Sequence, residues 1–470
     1  MFDNPAVEKI REVTAGTEYE GLLYLVGGVV RDMVMGRPPA DDIDLVLEGD
    51  ALELARFLHA KGITAHRPVT YPRFGTAMVN IGGHTVELVS ARRESYAPES
   101  RKPHVEPAEL IDDVMRRDFT INTLLEELHT GEIFDLTHTG MADIEAKIIR
   151  TPTEPDTTFY DDPLRMLRAI RFAVRFGFTI EPSTWDAIVR DAPRLNIISK
   201  ERIRDEFVKI ILTLEPARGL RMLRDSGLLL QFAPELLVMQ GVKQDGGHIW
   251  DVWEHSLHAL EWLPTNSDLV LRLAVLLHDL GKPKTRTEDS EGHSHFYGHE
   301  DIGAALAHRI MTRLRFPKSE TARVERLISM HMRIGEYREE WKDTAVKRLM
   351  RDADDDISDL VALAKADRCG ANPKASLSDL ENLQHRMENS LIRREVGEIR
   401  SPLNGVEIME LLNIPPGPKI EEIKDFLMEE VLERRLLPDD KEAAKTLVNT
   451  KWGTAEPGEE ESKESEEQKE

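Results

Sequence analysis

The chain has 470 residues, 40% hydrophobic and 31% charged, with a formal net charge of −24; that length holds roughly two to four domains with cores of their own. The single cysteine, Cys369, excludes an intramolecular disulfide and reads as a small packed apolar group. No apolar run reaches the length of a bilayer span, and MFDNPAVEKIREV lacks the apolar core of a signal peptide, so a cytoplasmic protein without membrane partners is expected, and any nucleic-acid surface must be a local basic stripe.

In chain order, LLYLV reads as a strand, GG as a turn and VVRDMVMG as a helix. DIDLVLEG is a strand, ALELARFLHAKG a helix, and GTAMVNIGG with HTVELVSA a hairpin. The polar, proline-bearing ESYAPESRKPHVEP reads as a loop. Beyond about Thr151 the pattern is helical nearly to the end. DDPLRMLRAIRFAVRFGF opens with proline at N1 and closes near Gly177, and SKERIRDEFVKIILTL is a second amphipathic helix. Another helical unit starts near Gly247 and runs through LRLAVLLHDLGK to LVALAKADRCGANP. SPLNGVEIMELLNIPPGPKIEEIKDFLMEEVL forms a small C-terminal helical unit, and the acidic tail after Trp452 lacks aromatics and is expected to be disordered. The fold class is α+β. A small mixed-sheet head spans 1–150, an all-α neck 151–240, a second all-α domain 241–375, a C-terminal helical unit 376–451 and the tail 452–470.

Two stretches carry chemistry in the first half. In ADDIDLVLEG, Asp42 and Asp44 are two residues apart on a strand and therefore share a face. Such a pair is unfavourable alone and favourable around a divalent cation, and Mg²⁺ takes carboxylates together with substrate phosphate oxygens. Glu87 in TVELVSA can complete a two-metal site; Asp41 reads as a helix or strand-end cap. In LVGGVVRD, a strand runs through Gly27 and Gly28 into a helix, where free N–H groups favour an anion and Arg31 can fork onto a phosphate.

Further on, Arg165, Arg168, Arg171 and Arg175 share one helix face, with Leu164, Leu167, Ile170 and Val174 opposite. Four arginines without an intervening acid read as a phosphate-facing stripe. In LLHDLGKPK, His278 and Asp279 would alone be a core pair or a cap. With His255, His299, His331 and Asp367 at wide spacing, they make a donor set suited to a transition metal.

The stretch GGVVRDMVMGRPPADDIDLVL resembles the nucleotidyltransferase head of the class II CCA-adding enzymes and bacterial poly(A) polymerases. The resemblance continues in order through FGTAMV, ARRESYAPESRKP, RRDFTINTL, DDPLRMLRAIRFAVRFGF and ERIRDEFVKIIL, roughly the first half of the chain. It implies that Asp42 and Asp44 bind the catalytic Mg²⁺ ions, with Glu87 as third carboxylate. It further implies that Gly27, Gly28 and Arg31 hold the triphosphate, that Arg116, Arg117 and Asn122 contact the incoming nucleotide, and that Asp162 and Arg165 read its base edge beside Arg168 and Arg171. The sequence departs from the family at Asp161, where Glu is usual, and at Thr123, where Ala is usual. DLTHTGMADIEAKIIR also lacks the usual proline and paired glycine.

The second half resembles the HD phosphohydrolase superfamily. That resemblance implies core ligands His255, His278, Asp279 and Asp367, a second metal at His299 and His331, and a phosphate contact by Lys282; His293 and His295 fall in a flexible loop. The implied function is template-independent addition of C and A to a tRNA 3′ end from CTP and ATP, with pyrophosphate released. An HD phosphatase or cyclic phosphodiesterase activity would accompany it, and the C-terminal helices would grip the tRNA. CC-only, A-only or poly(A) addition remain open within the family. A phosphohydrolase with a nucleotide-sensing head is the alternative of another class. Oligomeric state is open.

Overall fold

The computed structural model describes residues 2–39, 42–95, 104–245, 249–389, 392, 396–397 and 399–453. Asp41 and the acidic tail from residue 454 onward lie outside the described residues. The chain divides into two compact units, Met1–Ile328 with Cys369–Asn372, and Ser329–Arg368 with Pro373–Glu470.

The first unit begins with a helix α1 (Pro5–Thr14) and a seven-stranded mixed sheet. Its strands are β1 (Leu23–Val26), β2 (Ile43–Leu47), β3 (Val69–Tyr71), β4 (Thr76–Ile81), β5 (His84–Ser90), β8 (Leu125–Glu127) and β9 (Ile133–Phe134), in the spatial order β3-β4-β5-β2-β1-β8-β9. β2 and β5 run parallel and the other neighbours antiparallel. Alternation sorts the side chains by face. Leu25, Ile43, Leu45, Val79, Val86 and Leu88 point to one side and are buried with Val7, Ile10, Val29, Leu54 and Leu58 of α1, α2 (Gly28–Val34) and α3 (Ala51–Ala60). On the other face, Val26, Val46, Ala91 and Leu125 pack with Leu110 and Val114 of α4 (Leu110–Met115). Each face thus has its own core, and the acidic positions of β2 and β5 fall on the α4 side.

The stretch read as a loop between Glu94 and Pro107 contains strand instead. β6 (Arg92–Ser95) pairs antiparallel with β7 (His104–Pro107), from Arg92 opposite Pro107 to Ser95 opposite His104. The paired segments RRES and HVEP carry no apolar alternation, so their polar composition does not reveal the strands. Residues 96–103 lie outside the described residues.

Helices follow from Gly140 onward. α5 (Gly140–Ala146) and α6 (Pro155–Asp161) lead into α7 (Leu164–Phe176), whose Leu164, Leu167, Ile170, Phe172 and Val174 are buried. Pro163 is the residue before this helix rather than its first residue, and Gly177 ends it with φ 71°. α8 (Pro182–Asp191), α9 (Lys200–Ile211), α10 (Pro216–Asp225) and α11 (Leu228–Phe232) follow; α7 contacts both α9 and α10. α12 (Val252–Trp262) and α13 (Leu269–Leu277) pack together, and α14 (Lys282–Thr285) contacts α15 (His299–Arg313).

The second unit is helical. Its C-terminal part places Leu403, Ile408, Ile423, Leu427, Leu436, Ala444 and Val448 in one core formed by the helices Gly405–Leu412, Pro418–Leu432 and Lys441–Trp452. Asn404 and Glu407 form a reciprocal capping box at the first of these. Among the described residues no helix is long and apolar enough to cross a membrane.

Candidate functional site

Two clusters of functional side chains form in the first unit. The first grows from the sheet. Asp44 on β2 is in register with Glu87 on β5 and with Val26 on β1, so the two carboxylates are lateral neighbours on one face. Strands lie about 4.8 Å apart. Asp42, just before β2 and two residues from Asp44, is exposed. Asp44 is half-buried, and burial, then Glu87, then Asp42 raise its carboxyl to about 6 against the pull of Arg117.

β1 feeds a sharp turn directly beside this pair. Gly27 has φ 77° and ψ −128°, a conformation open only to glycine. A Cβ there would sit 3.7 Å from Asp44 Oδ2 and 3.8 Å from Arg117 Nη1. The turn therefore brings backbone, carboxylate and guanidinium together at the start of α2. Arg117 Nη2 donates to Asp113 Oδ2 at 2.8 Å, and Arg116 Nε donates to Asp113 Oδ1 at 3.0 Å. Asp113, fully buried on α4, keeps a carboxyl below the usual range because the two guanidinium groups outweigh its burial. One buried acid thus holds both arginines.

Arg31 is 3% exposed. Its Nε donates to Asp32 Oδ1 at 2.8 Å and its Nη1 to Asn122 Oδ1 at 2.7 Å. The guanidinium carbon lies 4.6 Å from the Phe176 ring centroid and 5.3 Å from that of Phe172. This side chain ties α2 to α7 and is not an open phosphate fork. Asn122 donates onward to Asp118 Oδ1 at 2.9 Å. Gly28 is the first residue of α2.

The arginine face of α7 likewise differs from an open stripe. Arg168 donates from Nε and Nη2 to Asp118 Oδ2, at 2.8 and 2.5 Å. Arg171 Nε lies 3.1 Å from Glu206 Oε2 of α9, with both groups buried. Arg165 donates to the Arg116 carbonyl at 2.6 Å. Arg175 alone of the four is exposed. The acids missing from the helix are supplied by other elements, which corrects the expectation of a wholly phosphate-facing stripe. Asp162 accepts the Leu164 amide at 3.1 Å through Oδ1 and Arg202 Nη2 at 2.6 Å through Oδ2. Sequence reasoning missed Arg202, Asp118 and Glu206. All three sit inside quoted motifs, so their presence was visible but their pairing was not. A cleft of about 710 Å³ between Pro72–Gly75, the end of β2 and Pro107–Glu109 holds none of the expected site residues.

The second cluster forms where α12, α13 and α15 meet. His255 on α12, His278 just after α13 and Asp279 are buried, and their ligand atoms lie within 4.8 Å of one another. The Nε2 atoms of His255 and His278 are each 3.3 Å from Asp279 Oδ2, and His299 Nε2 is 3.4 Å from Asp279 Oδ1. His278 Nδ1 lies 2.8 Å from the Val275 carbonyl and His299 Nδ1 2.8 Å from the Phe296 carbonyl. Those contacts place a proton on each Nδ1 and aim both Nε2 atoms at the carboxylate. Burial opposes the charge of Asp279, but His278 and Lys282 hold its carboxyl well below the usual range.

A glycine makes this cluster possible. A Cβ on Gly281 would meet the His299 carbonyl oxygen at 2.0 Å and the Gly303 nitrogen at 2.7 Å. The first turn of α15, which carries His299, can approach only because residue 281 has no side chain. Lys282, expected at a phosphate, is buried and donates to Asp279 Oδ2 at 2.7 Å and Gln244 Oε1 at 2.6 Å. His293 and His295 belong to a small exposed hairpin and pair with Asp289. His331, on the helix Lys318–Gly335, and Asp367, on the helix Ile357–Ala371, belong to the second unit; His331 is buried and Asp367 half-buried.

Comparison with known proteins matches three family models in order: the poly A polymerase head domain over residues 23–150, the probable RNA and SrmB-binding site of polymerase A over 177–239, and the HD domain over 246–372. The chain is 32% identical over 430 residues to the CC-adding tRNA nucleotidyltransferase of Thermus thermophilus, covering 88% of this chain and 90% of that one. It is 36% identical over 336 residues to the A-adding tRNA nucleotidyltransferase of Deinococcus radiodurans, covering 69% and 75%. It is 31% identical over 364 residues to the multifunctional CCA protein of Laribacter hongkongensis, covering 74% and 84%. The crystal structure of the Bacillus stearothermophilus CCA-adding enzyme in complex with CTP shares the fold, with a TM-score of 0.65 at 23% identity over 96% of this chain and 99% of that one. With a carboxylate row beside a glycine turn at one end and an HD cluster behind it, the chain belongs to the tRNA nucleotidyltransferase family of CCA-adding enzymes and poly(A) polymerases.

Proposed function

We propose that this chain adds C and A, without a template, to the 3′ end of tRNA from CTP and ATP and releases pyrophosphate. The observation that carries the reading is the in-register pair Asp44 and Glu87, with Asp42 close enough to raise the Asp44 carboxyl and Gly27 and Arg117 alongside. Three acids so placed repel, and burial leaves Asp44 reluctant to ionise; hard oxygen donors of this number suit Mg²⁺. Asp42, Asp44 and Glu87 would hold Mg²⁺, which would supply the charge to acidify a terminal hydroxyl and neutralise a triphosphate.

The chain's own residues do the rest. The Gly27 turn lets phosphate oxygens approach the backbone N–H groups at the start of α2. Arg117, held by Asp113, sets a guanidinium beside them. Asp162 accepts from the exocyclic amine carried by cytosine and adenine, and Arg165 donates to the neighbouring acceptor. Uracil has no such amine and is rejected. Arg31 acts by holding Asn122, and Arg168 by holding Asp118. The helical segments after residue 376 bind the tRNA backbone.

A second reading concerns the HD cluster, supported by the convergence of three imidazole Nε2 atoms on one buried carboxylate. We assign it a phosphohydrolase activity on phosphate esters at RNA ends. On the strength of the HD motif, His255, His278, Asp279 and Asp367 would hold a divalent transition metal or Mg²⁺ there, and His299 and His331 would serve a second ion.

The test uses three synthetic tRNAs ending at the discriminator base, in C and in CC, each with Mg²⁺ and labelled CTP, ATP or UTP. C on the first two and a single A on the third is the expected result. Extension that stops at CC, or A alone on the third, narrows the activity to one step. Long A tracts on unrelated RNA would make it a poly(A) polymerase, and no incorporation would remove the transferase reading.

A further inference from the structure

The carboxylate row continues across the sheet, and its two sides differ. Toward β1 it is closed: Val26, opposite Asp44, and Leu125, opposite Val26, are buried beneath Leu110 and Val114 of α4. Toward the sheet edge it is open. Glu87 is in register with Met78 on β4, and Met78 with Val69 on β3, so these side chains share the carboxylate face. Val69 is 54% exposed, Tyr71 44%, Phe74 38% and Met78 36%. Val69 and Tyr71 are two apart on β3 and share that face. A run of exposed apolar and aromatic groups thus starts one strand, about 4.8 Å, from Glu87.

The stretch of sequence that carries this run differs in charge from the rest of the chain. Residues 54–86 contain no Asp or Glu, although the whole protein carries net charge −24. Arg67 and Arg73 flank the run and are exposed, and neither pairs with an acid among the described residues. Arg73 lies 5.8 Å from the Phe74 ring centroid. Glu48, Asp50 and Glu109 line the cleft that Arg73 and Phe74 also line, but the run itself carries no acid, and aromatic faces with nearby guanidinium groups are the chemistry that holds single-stranded nucleic acid by stacking and phosphate contact.

We infer that the β3–β4 face is the docking platform for the unpaired 3′-terminal nucleotides of the RNA being extended, with Tyr71 and Phe74 stacking on bases and Arg67 and Arg73 meeting phosphates. The inference rests on the transferase reading. The triphosphate side of Asp44 is taken by the Gly27 turn and Arg117, so the acceptor hydroxyl arrives from the β5 side, where Met78, Val69 and Tyr71 are exposed. Tyr71 and Arg73 are positioning residues: they place the hydroxyl and take no part in its chemistry.

The experiment measures initial rates with the full chain while RNA and CTP are varied separately, for wild type, Tyr71→Ala, Tyr71→Phe and Arg73→Ala. Binding is followed in parallel by the fluorescence of 2-aminopurine placed at the RNA 3′ end. Tyr71→Ala is expected to raise the KM for RNA about tenfold, as loss of one base stack would, to leave the KM for CTP unchanged, and to abolish quenching. Tyr71→Phe is expected to restore both. Unchanged RNA KM and quenching in Tyr71→Ala and Arg73→Ala would overturn the inference. So would an unchanged RNA KM with altered sedimentation mass, which would assign the face to a second copy. Wild type that incorporates no nucleotide would defeat the transferase reading, and quenching that depends on Tyr71 would still decide the platform.

Discussion

Arg168 and Asp118 form a two-pronged ion pair, with Arg168 Nε and Nη2 both on Asp118 Oδ2, 50 residues apart in the chain. It joins α7 to the segment that carries Arg117 and Asn122. Burial would raise the Asp118 carboxyl, but Arg168, the Asn122 amide and Arg165 together lower it to about 2. A folded-state value below the ordinary 3.8 means stability that is present above about pH 4 and lost as pH falls toward 2. The shift corresponds to about 2 kcal/mol. Urea unfolding at pH 7 and at pH 3 checks it. Asp118→Asn is expected to be less stable at pH 7 and to lose less on acidification; equal acid sensitivity in wild type and variant would refute the assignment.

Arg202 is expected to control nucleotide choice. It holds one oxygen of Asp162 while the Leu164 amide holds the other. The pair is partly exposed, so Arg202→Gln should change stability by under about 1 kcal/mol. Losing it lets the Asp162 carboxylate rotate, which should reduce kcat/KM for CTP and ATP about tenfold, roughly 1.4 kcal/mol of lost transition-state stabilisation. UTP incorporation should rise relative to CTP. Competition between CTP and UTP on one tRNA measures this, and an unchanged ratio would reduce Arg202 to a surface contact.

These two pairs mark the limit of what sequence alone conveys. The strand bearing Asp44, with Asp42 just before it, and the hairpin bearing Glu87 are readable because period-two alternation and short apolar runs are local signals. The imidazole and carboxylate set of the HD motif is readable because its spacing resembles a known superfamily. The partners of the α7 arginines are not readable. Asp118 and Glu206 come from distant elements, so a helix without acids looked like a free basic stripe although three of its four guanidinium groups are engaged. Likewise, Arg31 looked like a phosphate ligand because its position in the first turn of α2 is local, whereas Phe172, Phe176 and Asn122, which enclose it, are not. β6 and β7 escaped notice because RRES and HVEP offer no apolar alternation to read.

Gly281 carries a steric prediction. Any side chain there overlaps the His299 carbonyl and the Gly303 nitrogen, both backbone atoms that cannot swing aside. Gly281→Ala should cost at least about 2 kcal/mol. It should also push the first turn of α15 away from Asp279, which opens the 3.4 Å contact between His299 and that carboxylate. Thermal unfolding with metal analysis of the purified protein tests both parts. A variant with wild-type Tm and metal content would show that α15 can shift without consequence.

The two clusters are built from separate residues, and this separation can be tested by substitution. Asp42→Ala removes an exposed acid from the carboxylate row, where like charges already repel, so the fold should not lose stability. Nucleotide incorporation should fall by at least about 10³-fold, the scale of losing charge stabilisation in a transition state. Hydrolysis of phosphate esters should persist. The double change His278→Ala and Asp279→Ala should do the reverse: it removes one converging imidazole and the carboxylate on which His255 and His299 also close, so metal content and hydrolysis vanish while incorporation continues. Both variants are compared on one tRNA preparation, with near-UV circular dichroism confirming retained packing. Incorporation that survives Asp42→Ala would remove the carboxylate row from the transferase chemistry, and hydrolysis that survives the double change would place that activity elsewhere in the chain.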